Sequence, residues 1–286
     1  EVLKQYKLPK GTMQLVDKNT SAAINKEISK LNLTREPGGS SANTINGLAK
    51  LGIGSGFIGT VGNDELGTFF RDRMTQNGVK AQLDFSETAD TGKAITFITQ
   101  DRERTFATYL GAALELSASK LNRNMFSGYD VLHIEGYLVQ NQELIEKAMS
   151  LAKGQKMRTS LDLASFNIVQ ENRDFLRRLL HEYVDIVFAN EDEARALTME
   201  DPENAVYELA EYADIAIVKT GAEGSLIRQD DTNYRIASFK TDVQDTTGAG
   251  DLYASGFLYG LVNNMSMDRC GQIGSFMASK VIEEVG

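Results

Sequence analysis

The residues best suited to chemistry lie in Asp245-Thr246-Thr247-Gly248-Ala249-Gly250-Asp251 and the apolar run behind it, Leu252-Tyr253-Ala254-Ser255-Gly256-Phe257-Leu258. That run reads as a buried helix whose first turn begins among Gly248, Ala249 and Gly250. Amide N–H groups at a helix start have no partner inside the helix and carry partial positive charge, so they suit a phosphate. Glycine and alanine put no bulk between that phosphate and the backbone. A carboxylate at Asp251 then stands beside the bound anion, where it can take the proton of a hydroxyl attacking phosphorus. A plain structural reading also exists, a glycine-rich loop before a helix with an aspartate in its first turn. The complete run is far more specific than a lone G-x-G-D.

Three other segments share the pattern of a strand end or loop opening onto a helix or turn. Pro37-Gly38-Gly39-Ser40-Ser41-Ala42-Asn43 leads into an amphipathic stretch, Thr44 to Leu51, closed by Gly52, so it is a second glycine-rich helix start and, on these residues alone, a capping loop. Asn190-Glu191-Asp192-Glu193 follows the apolar strand Ile186–Ala189 directly and reads as an acidic N-cap. Val218-Lys219-Thr220-Gly221-Ala222-Glu223-Gly224-Ser225 is a strand, a glycine turn and a strand. Gly54-Ser55-Gly56-Phe57-Ile58-Gly59 matches GxGxxG by letter, but its glycines precede and interrupt a strand, where a dinucleotide fingerprint needs them after one.

The elements that must position these residues alternate. Apolar strands at Val131–Ile134, Thr159–Leu163, Ile186–Ala189 and Ile215–Val218 are separated by helices at Leu144–Lys153, Phe175–His181 and after Asn190. Such alternation predicts a mostly parallel sheet with helices on both faces, with sites at the strand carboxyl ends. Residues 79–112 differ: Lys80–Phe85, Lys93–Thr99 and Thr105–Leu110 are strand-like, with turns at Asp90–Gly92 and Asp101–Arg104, so they predict a small β subdomain. Gly11–Asp17 reads as a turn and short strand, and Lys26–Leu33 as either a strand or a short helix.

With 286 residues, 42% of them hydrophobic, the chain is ample for one large α/β domain or one domain with a small appendage. A net charge of -10 argues against a broad nucleic-acid surface, so positive potential for phosphates must be local. The single cysteine, Cys270, reads as a buried thiol and excludes a disulfide framework. Two histidines are too few for a zinc hydrolase; His133 reads as a satisfied core residue and His181 as solvated. No run reaches membrane-spanning length and no signal peptide is present, so the expected location is cytoplasmic, with no membrane partner. There is no GxxxxGK[ST], no protein-kinase HRD set and no GxSxG. The chain opens on Glu1 rather than Met, which fits an incomplete N-terminus.

Together the D-T-T-G-A-G-D run at 245–251, the Gly-Gly-x-x-x-Asn at 38–43, the G-x-V-G-x-D-x-x-G at 59–67 and the Asn-x-x-Glu at 190–193 resemble the PfkB carbohydrate kinase family. This family, also called ribokinase-like, includes the adenosine kinases, and the resemblance extends along most of the chain. It implies a ribokinase-like α/β fold: a core at 39–78 and 113–286 holding the ATP site, and a small β-sheet lid at 1–38 and 79–112 covering the substrate. A lid excludes water, the competing phosphoryl acceptor. The G-x-V-G-x-D-x-x-G segment is expected to serve helix initiation and packing.

The resemblance implies transfer of the ATP γ-phosphoryl group to a primary hydroxyl of a sugar or ribonucleoside. Asp251 would be the base, and the backbone of Gly248, Ala249 and Gly250 would hold the transferring charge. Gly39, Ser40 and Asn43 would bind the acceptor's hydroxyls; asparagine offers a diol both donor and acceptor. Asn190 and Glu193 would orient Mg2+, largely through water. Lys219, Gly221 and Gly224 would contact ATP, and Gly274 and Ser275 would flank the adenine. Arg104 either reaches the substrate or the transferring phosphate, or is a solvated turn residue. Tyr137 either stacks on a base or forms an apolar wall. A K+ site near Asp245, as in some relatives, is left open, as is a monomer against a homodimer through the lid. Leu8–Gln14 and Arg104–Ala113 look closer to adenosine-kinase-like members than to ribokinases or fructokinases. The alternatives are a pentose or hexose kinase and a non-catalytic sugar or nucleoside sensor; the intact loop and Asp251 count against a sensor. Family members usually open on an apolar strand ending in a sugar-gripping aspartate and extend past the equivalent of Val281–Gly286. Here that strand is either missing from the chain or replaced by a different mode of binding.

Overall fold

A computed structural model of the chain describes residues 2–31, 33–99 and 104–283. It resolves into two units, one of residues 1–42 and 56–116, the other of residues 43–55 and 117–286.

The first unit begins with α1 (Val2–Gln5), β1 (Met13–Leu15) and α2 (Lys18–Ile28). The Asp17 carboxylate starts α2 by accepting the Thr20 N–H at 2.7 Å, and Ile24 and Ile28 bury one face of the helix with Leu8 and Ala107. The undecided stretch from Lys26 thus begins as the last turn of α2, a helix whose Lys-, Asn- and Ser-rich sequence hid its narrow apolar stripe. After α3 (Ser40–Lys50), which runs on into the second unit's residues, come β2 (Ser55–Gly62), α4 (Glu65–Gln76), β3 (Val79–Ser86), β4 (Lys93–Ile98) and β5 (Arg104–Tyr109). β5 pairs in parallel with β1 and antiparallel with β4, and β2 pairs with β3. The strands expected at 79–112 are therefore present; of the turn expected at 101–104, residues 101–103 lie outside the described residues. All three divisions fall elsewhere than the expected core and lid. Residues 39–42, 56–78 and 113–116 group with the first unit, where β2 pairs with β3 and α4 packs on β3, and of the stretch 39–78 residues 43–55 join the larger unit.

The G-x-V-G-x-D-x-x-G segment is a structural knot. Asp64 Oδ1 accepts the Gly67 N–H at 2.8 Å and the Thr91 hydroxyl at 2.6 Å, and Oδ2 accepts the Thr91 N–H at 2.8 Å. A Cβ on Gly67 would lie 2.2 Å from the Gly62 carbonyl, so only glycine fits there.

The second unit continues with β6 (Val131–Glu135), α5 (Gln142–Lys153), β7 (Arg158–Asp162), α6 (Phe166–Glu171), α7 (Arg173–Tyr183), β8 (Ile186–Asn190), α8 (Glu191–Thr198), α9 (Pro202–Leu209), β9 (Ile215–Lys219), β10 (Ser225–Gln229), β11 (Thr232–Ile236), α10 (Ala249–Val262) and α11 (Met267–Val281). Its sheet runs β11-β10-β9-β8-β7-β6, parallel from β6 to β9 and antiparallel at β10 and β11. Successive side chains on β8 and β9 point to opposite faces. Val187, Ala189, Ala216 and Val218 pack with Ile145, Met149, Leu176, Leu179 and Leu197, while Ile186, Phe188, Ile215 and Ile217 pack with Leu48, Tyr253, Phe257 and Leu258. Both faces are covered, which is why these strands are continuous apolar runs. Cys270 is fully buried in the second cluster. No helix among the described residues is long and apolar enough to cross a membrane.

Burial raises the Asp64 carboxyl's pKa, but the hydrogen bonds from Thr91 and Gly67 outweigh it and hold the pKa below its ordinary value. A carboxyl lowered on folding stabilises above its unfolded-state pKa, near roughly 4, and that contribution is lost as pH falls through the folded value. Asp64→Asn is therefore expected to lower the urea midpoint at pH 7, and the difference from wild type should shrink below roughly pH 4. A pH-independent difference would contradict this account.

Candidate active site

Helix α10 starts at the sheet's carboxyl-end edge. Gly248, its N-cap, has φ +77°, a left-handed conformation that disfavours any side chain. The preceding loop is shaped by Asp245, whose Oδ1 accepts the Thr247 N–H at 3.1 Å. The Ala249 N–H turns back onto the Thr246 carbonyl at 3.2 Å. Among the described residues the amides of Gly248 and Gly250 have no acceptor, so these two, rather than all three, remain for an anion.

Asp251 lies in the first turn of α10, half-buried. The Asn43 Nδ2 donates to its Oδ2 at 2.8 Å, and the Thr44 hydroxyl donates to its backbone carbonyl at 3.3 Å. The Ser255 hydroxyl lies 2.7 Å from the Thr44 carbonyl and 3.0 Å from that of Asp251. The two helices approach closely because residue 47 is glycine: a Cβ there would stand 2.4 Å from Ser255 Oγ and 2.9 Å from Leu252 Cδ1. Asn43, expected to bind an acceptor hydroxyl, is thus also the residue that holds the candidate base.

The parallel strands end in polar residues on the same edge: Glu135 on β6, Asp162 on β7, Asn190 on β8 and Lys219 on β9. Lys219 Nζ is 2.6 Å from Asp162 Oδ2, and a Cβ on Gly250 would lie 3.1 Å from that ammonium. Burial opposes the charge on Lys219, but Asp162 and Glu193 outweigh it and hold the ammonium's pKa above its ordinary value. Asp162 Oδ1 accepts the Ala164 N–H at 3.0 Å, and the Tyr137 hydroxyl donates to the Ala164 carbonyl at 3.3 Å. Glu135 is 4% exposed and bonds to His133 Nε2 at 3.2 Å; burial raises the Glu135 pKa against the lowering effect of that bond. His133 also meets Ser160 Oγ at 2.9 Å, the satisfied core residue expected, and His181 is exposed.

Asn190 and Glu193 form a capping box. Asn190 Oδ1 accepts the Glu193 N–H at 2.9 Å, Glu193 Oε2 accepts the Asn190 N–H at 2.8 Å, and Asn190 Nδ2 donates to Glu193 Oε1 at 2.7 Å. Burial and then the Asp162 charge push Glu193 up to about 7, against the pull of Lys219. Among the described residues no three His, Cys, Asp or Glu side chains converge as a metal cage. Magnesium bound with phosphates requires only one or two carboxylates, and the carboxylate of Glu193, at the edge that carries the loop of α10, fits that demand.

The other expected residues divide. Gly221 (φ +54°) opens the turn after β9, while a Cβ on Gly224 would collide with the Ile236 carbonyl at 1.9 Å. Gly274 lies against Tyr253 on α10, 2.9 Å from its carbonyl to a built Cβ, and the Ser275 hydroxyl donates to the Ala237 carbonyl at 3.1 Å. These three residues also have packing roles. Tyr137 follows β6 in a short 3-10 turn and is 43% exposed. Gly39, with φ +103°, precedes α3, Ser40 is its first residue and Arg104 opens β5, all in the first unit. Sequence reasoning assigned no role to Glu135 or Asp162; the available signal was a carboxylate closing an apolar strand.

The chain belongs to the pfkB family of carbohydrate kinases, whose model matches residues 13–286. It is 28% identical over 245 residues to a protein of Archaeoglobus fulgidus described as an uncharacterized sugar kinase, covering 84% of this chain and 96% of that protein. It is 30% identical to the 5-dehydro-2-deoxygluconokinase of Bacillus licheniformis, over 86% of this chain and 81% of the relative. The solved adenosine kinase of Sinorhizobium meliloti superposes with a TM-score of 0.90 at 32% identity, over 99% of this chain and 88% of that one. The fold is thus ribokinase-like, as the motifs implied. The family and its relatives make the protein a phosphotransferase acting on a sugar or nucleoside hydroxyl.

Gly47→Ala forces a methyl group onto Ser255 and Leu252. It is expected to destabilise the protein by ~1–3 kcal/mol and to lower the apparent Tm by several degrees. An unchanged melting curve would show that α3 and α10 do not depend on this contact.

Proposed function

We propose that the protein transfers the γ-phosphoryl group of ATP to a primary hydroxyl, with a ribonucleoside as the favoured acceptor. The observation that carries the reading is the 2.8 Å hydrogen bond fixing the Asp251 carboxylate in the first turn of α10, beside the amides of Gly248 and Gly250. Kinases of this family use ATP. In the proposed reaction Asp251 accepts the proton of the acceptor hydroxyl as its oxygen bonds to the γ-phosphorus, and the bond from that phosphorus to the β–γ bridging oxygen breaks, releasing ADP. The helix-start amides stabilise charge on the transferring group without having to reorganise. Asn190 and Glu193 are the residues that would hold magnesium, which supplies charge neutralisation on the phosphates when bound. Lys219 and the turn at Gly221 face the nucleotide, with Gly224, Gly274 and Ser275 shaping its surroundings. On the resemblance alone, Gly39 and Ser40 are assigned to the acceptor; Arg104 is a candidate contact for the acceptor or the transferring phosphate, and Tyr137 a candidate for stacking on a base.

Support for a nucleoside comes from the 99% coverage of this chain at 32% identity by the Sinorhizobium meliloti adenosine kinase. Support for a sugar comes from the 5-dehydro-2-deoxygluconokinase relative at 30%. A panel of adenosine, ribose, fructose and 5-dehydro-2-deoxygluconate with ATP and magnesium separates the two. Adenosine-dependent ADP release is the expected result; turnover of a sugar alone would move the assignment to a sugar kinase, and no turnover of any would contradict the nucleoside reading.

Asp251→Asn keeps the shape and the Asn43 neighbour but removes the proton acceptor. It is expected to lower kcat by on the order of 10²–10⁴ while ATP affinity changes little. A folded Asp251→Asn enzyme with wild-type kcat would remove Asp251 from the reaction.

A further inference from the structure

The ion pair between Asp162 and Lys219 needs an explanation: the resemblance carries Lys219 to ATP but gives Asp162 no role. Asp162 ends β7 and Lys219 ends β9, so the pair spans the carboxyl end of the intervening β8. Lysine has a long flexible stem and its charge is strongly hydrated. A 2.6 Å contact with 15% and 9% side-chain exposure is an expensive way to use one for stability alone.

Both carboxylate oxygens of Asp162 are engaged, Oδ2 by Lys219 and Oδ1 by the Ala164 N–H at 3.0 Å. Ala164 makes that bond from φ +67°, a left-handed conformation disfavoured for a residue with a Cβ. The Tyr137 hydroxyl reaches the Ala164 carbonyl at 3.3 Å. Asp162 therefore cannot turn toward a substrate proton without breaking two contacts, and nothing suits it to be a second base. What it does is fix the direction of the lysine. The ammonium it holds lies so close to the loop that a Cβ on Gly250 would stand 3.1 Å from Nζ. An ammonium has three N–H donors, and one points to Asp162. Burial opposes its charge, but Asp162 above all, with Glu193 and Glu135 behind it, holds the ammonium's pKa above its ordinary value.

We infer that Asp162 is a positioning residue: it holds the Lys219 ammonium against the Gly248–Gly250 loop so that Lys219 meets the phosphates of ATP together with the amides of that loop. Lys219 touches the nucleotide, and Asp162 acts only through Lys219. The inference rests on the phosphoryl-transfer reading, and ATP binding measured without any acceptor tests it separately.

ATP is titrated calorimetrically at fixed magnesium into wild type, Lys219→Met, Lys219→Arg, Asp162→Asn and the double variant Lys219→Met/Asp162→Asn, with melting curves for each. Loss of a charge-assisted contact should weaken ATP binding about 10- to 100-fold in Lys219→Met. Asp162→Asn should weaken it less, about 3- to 10-fold, because the lysine remains but is no longer aimed. The double variant removes both charges, leaves neither buried unpaired, and should bind ATP as Lys219→Met does, since Asp162 has nothing left to position. Lys219→Arg should retain most of the affinity. The magnesium concentration that half-saturates ATP binding should be the same in Asp162→Asn as in wild type.

If wild type binds ATP and Asp162→Asn binds it equally well, whatever its melting temperature, the positioning role is wrong. Fully additive losses in the double variant, or an unaffected Lys219→Met, would overturn it as well. A raised magnesium requirement in Asp162→Asn would make Asp162 a metal ligand instead. Failure of wild type itself to bind ATP would overturn the phosphoryl-transfer reading along with this one.

Discussion

The site depends on the close approach of two helix starts. Where α10 begins, its first amides have no partner within the helix, and the local field favours an anion. A carboxylate in that same turn is useful only if its direction is fixed. The fixing comes from α3: with no side chain at Gly47, the backbone packs onto Ser255 and Leu252, and Asn43 and Thr44 then reach Asp251. Two separate segments of chain thus meet at one carboxylate, and the start of α10 and the proposed proton acceptor become parts of one contact.

A second constraint comes from the sheet. Four parallel strands with both faces covered leave their carboxyl ends as the place where polar residues can collect. Here the collection is mostly acidic, with Glu135, Asp162 and Glu193 buried around a single lysine. Burying charge is unfavourable unless each group is paired. The pairing is thorough: Glu135 with His133, Glu193 with Asn190, and Asp162 with Lys219. In a chain of net charge -10, Lys219 and the start of α10 are the local positive potential that the proposed phosphate site draws on. A relative named for a sugar acid and a solved structure named for adenosine each match most of this chain.

Much of this was legible in the residues. The strands β6, β8 and β9 were marked by short apolar runs bounded by polar ends, and the D-T-T-G-A-G-D run located the start of α10. What could not be read was long-range pairing. Asn43 and Asp251 are 208 residues apart and Lys219 and Asp162 are 57 apart, and no local pattern links either pair. Glycine was informative but ambiguous. It marks a close approach of backbone without saying to what: Gly224 and Gly274, expected at the nucleotide, also pack against the Ile236 carbonyl and Tyr253. Helix α2 escaped notice because its core-facing residues, Ser21, Ile24 and Ile28, make a thin stripe in a polar sequence. Asn190 and Glu193 satisfied the plain capping reading in full, which is compatible with a role beside phosphates and does not by itself distinguish the two.

The central claim is that the start of α10 receives the phosphates of ATP with Asp251 facing the terminal one. A crystal structure of the protein with a non-hydrolysable ATP analogue tests this most directly. The account predicts terminal phosphate oxygens within hydrogen-bonding distance of the Gly248 and Gly250 amides, with the Asp251 carboxylate, still held by Asn43, turned toward the phosphorus. Phosphates bound away from this helix start, with Asp251 facing into packed side chains, would contradict it.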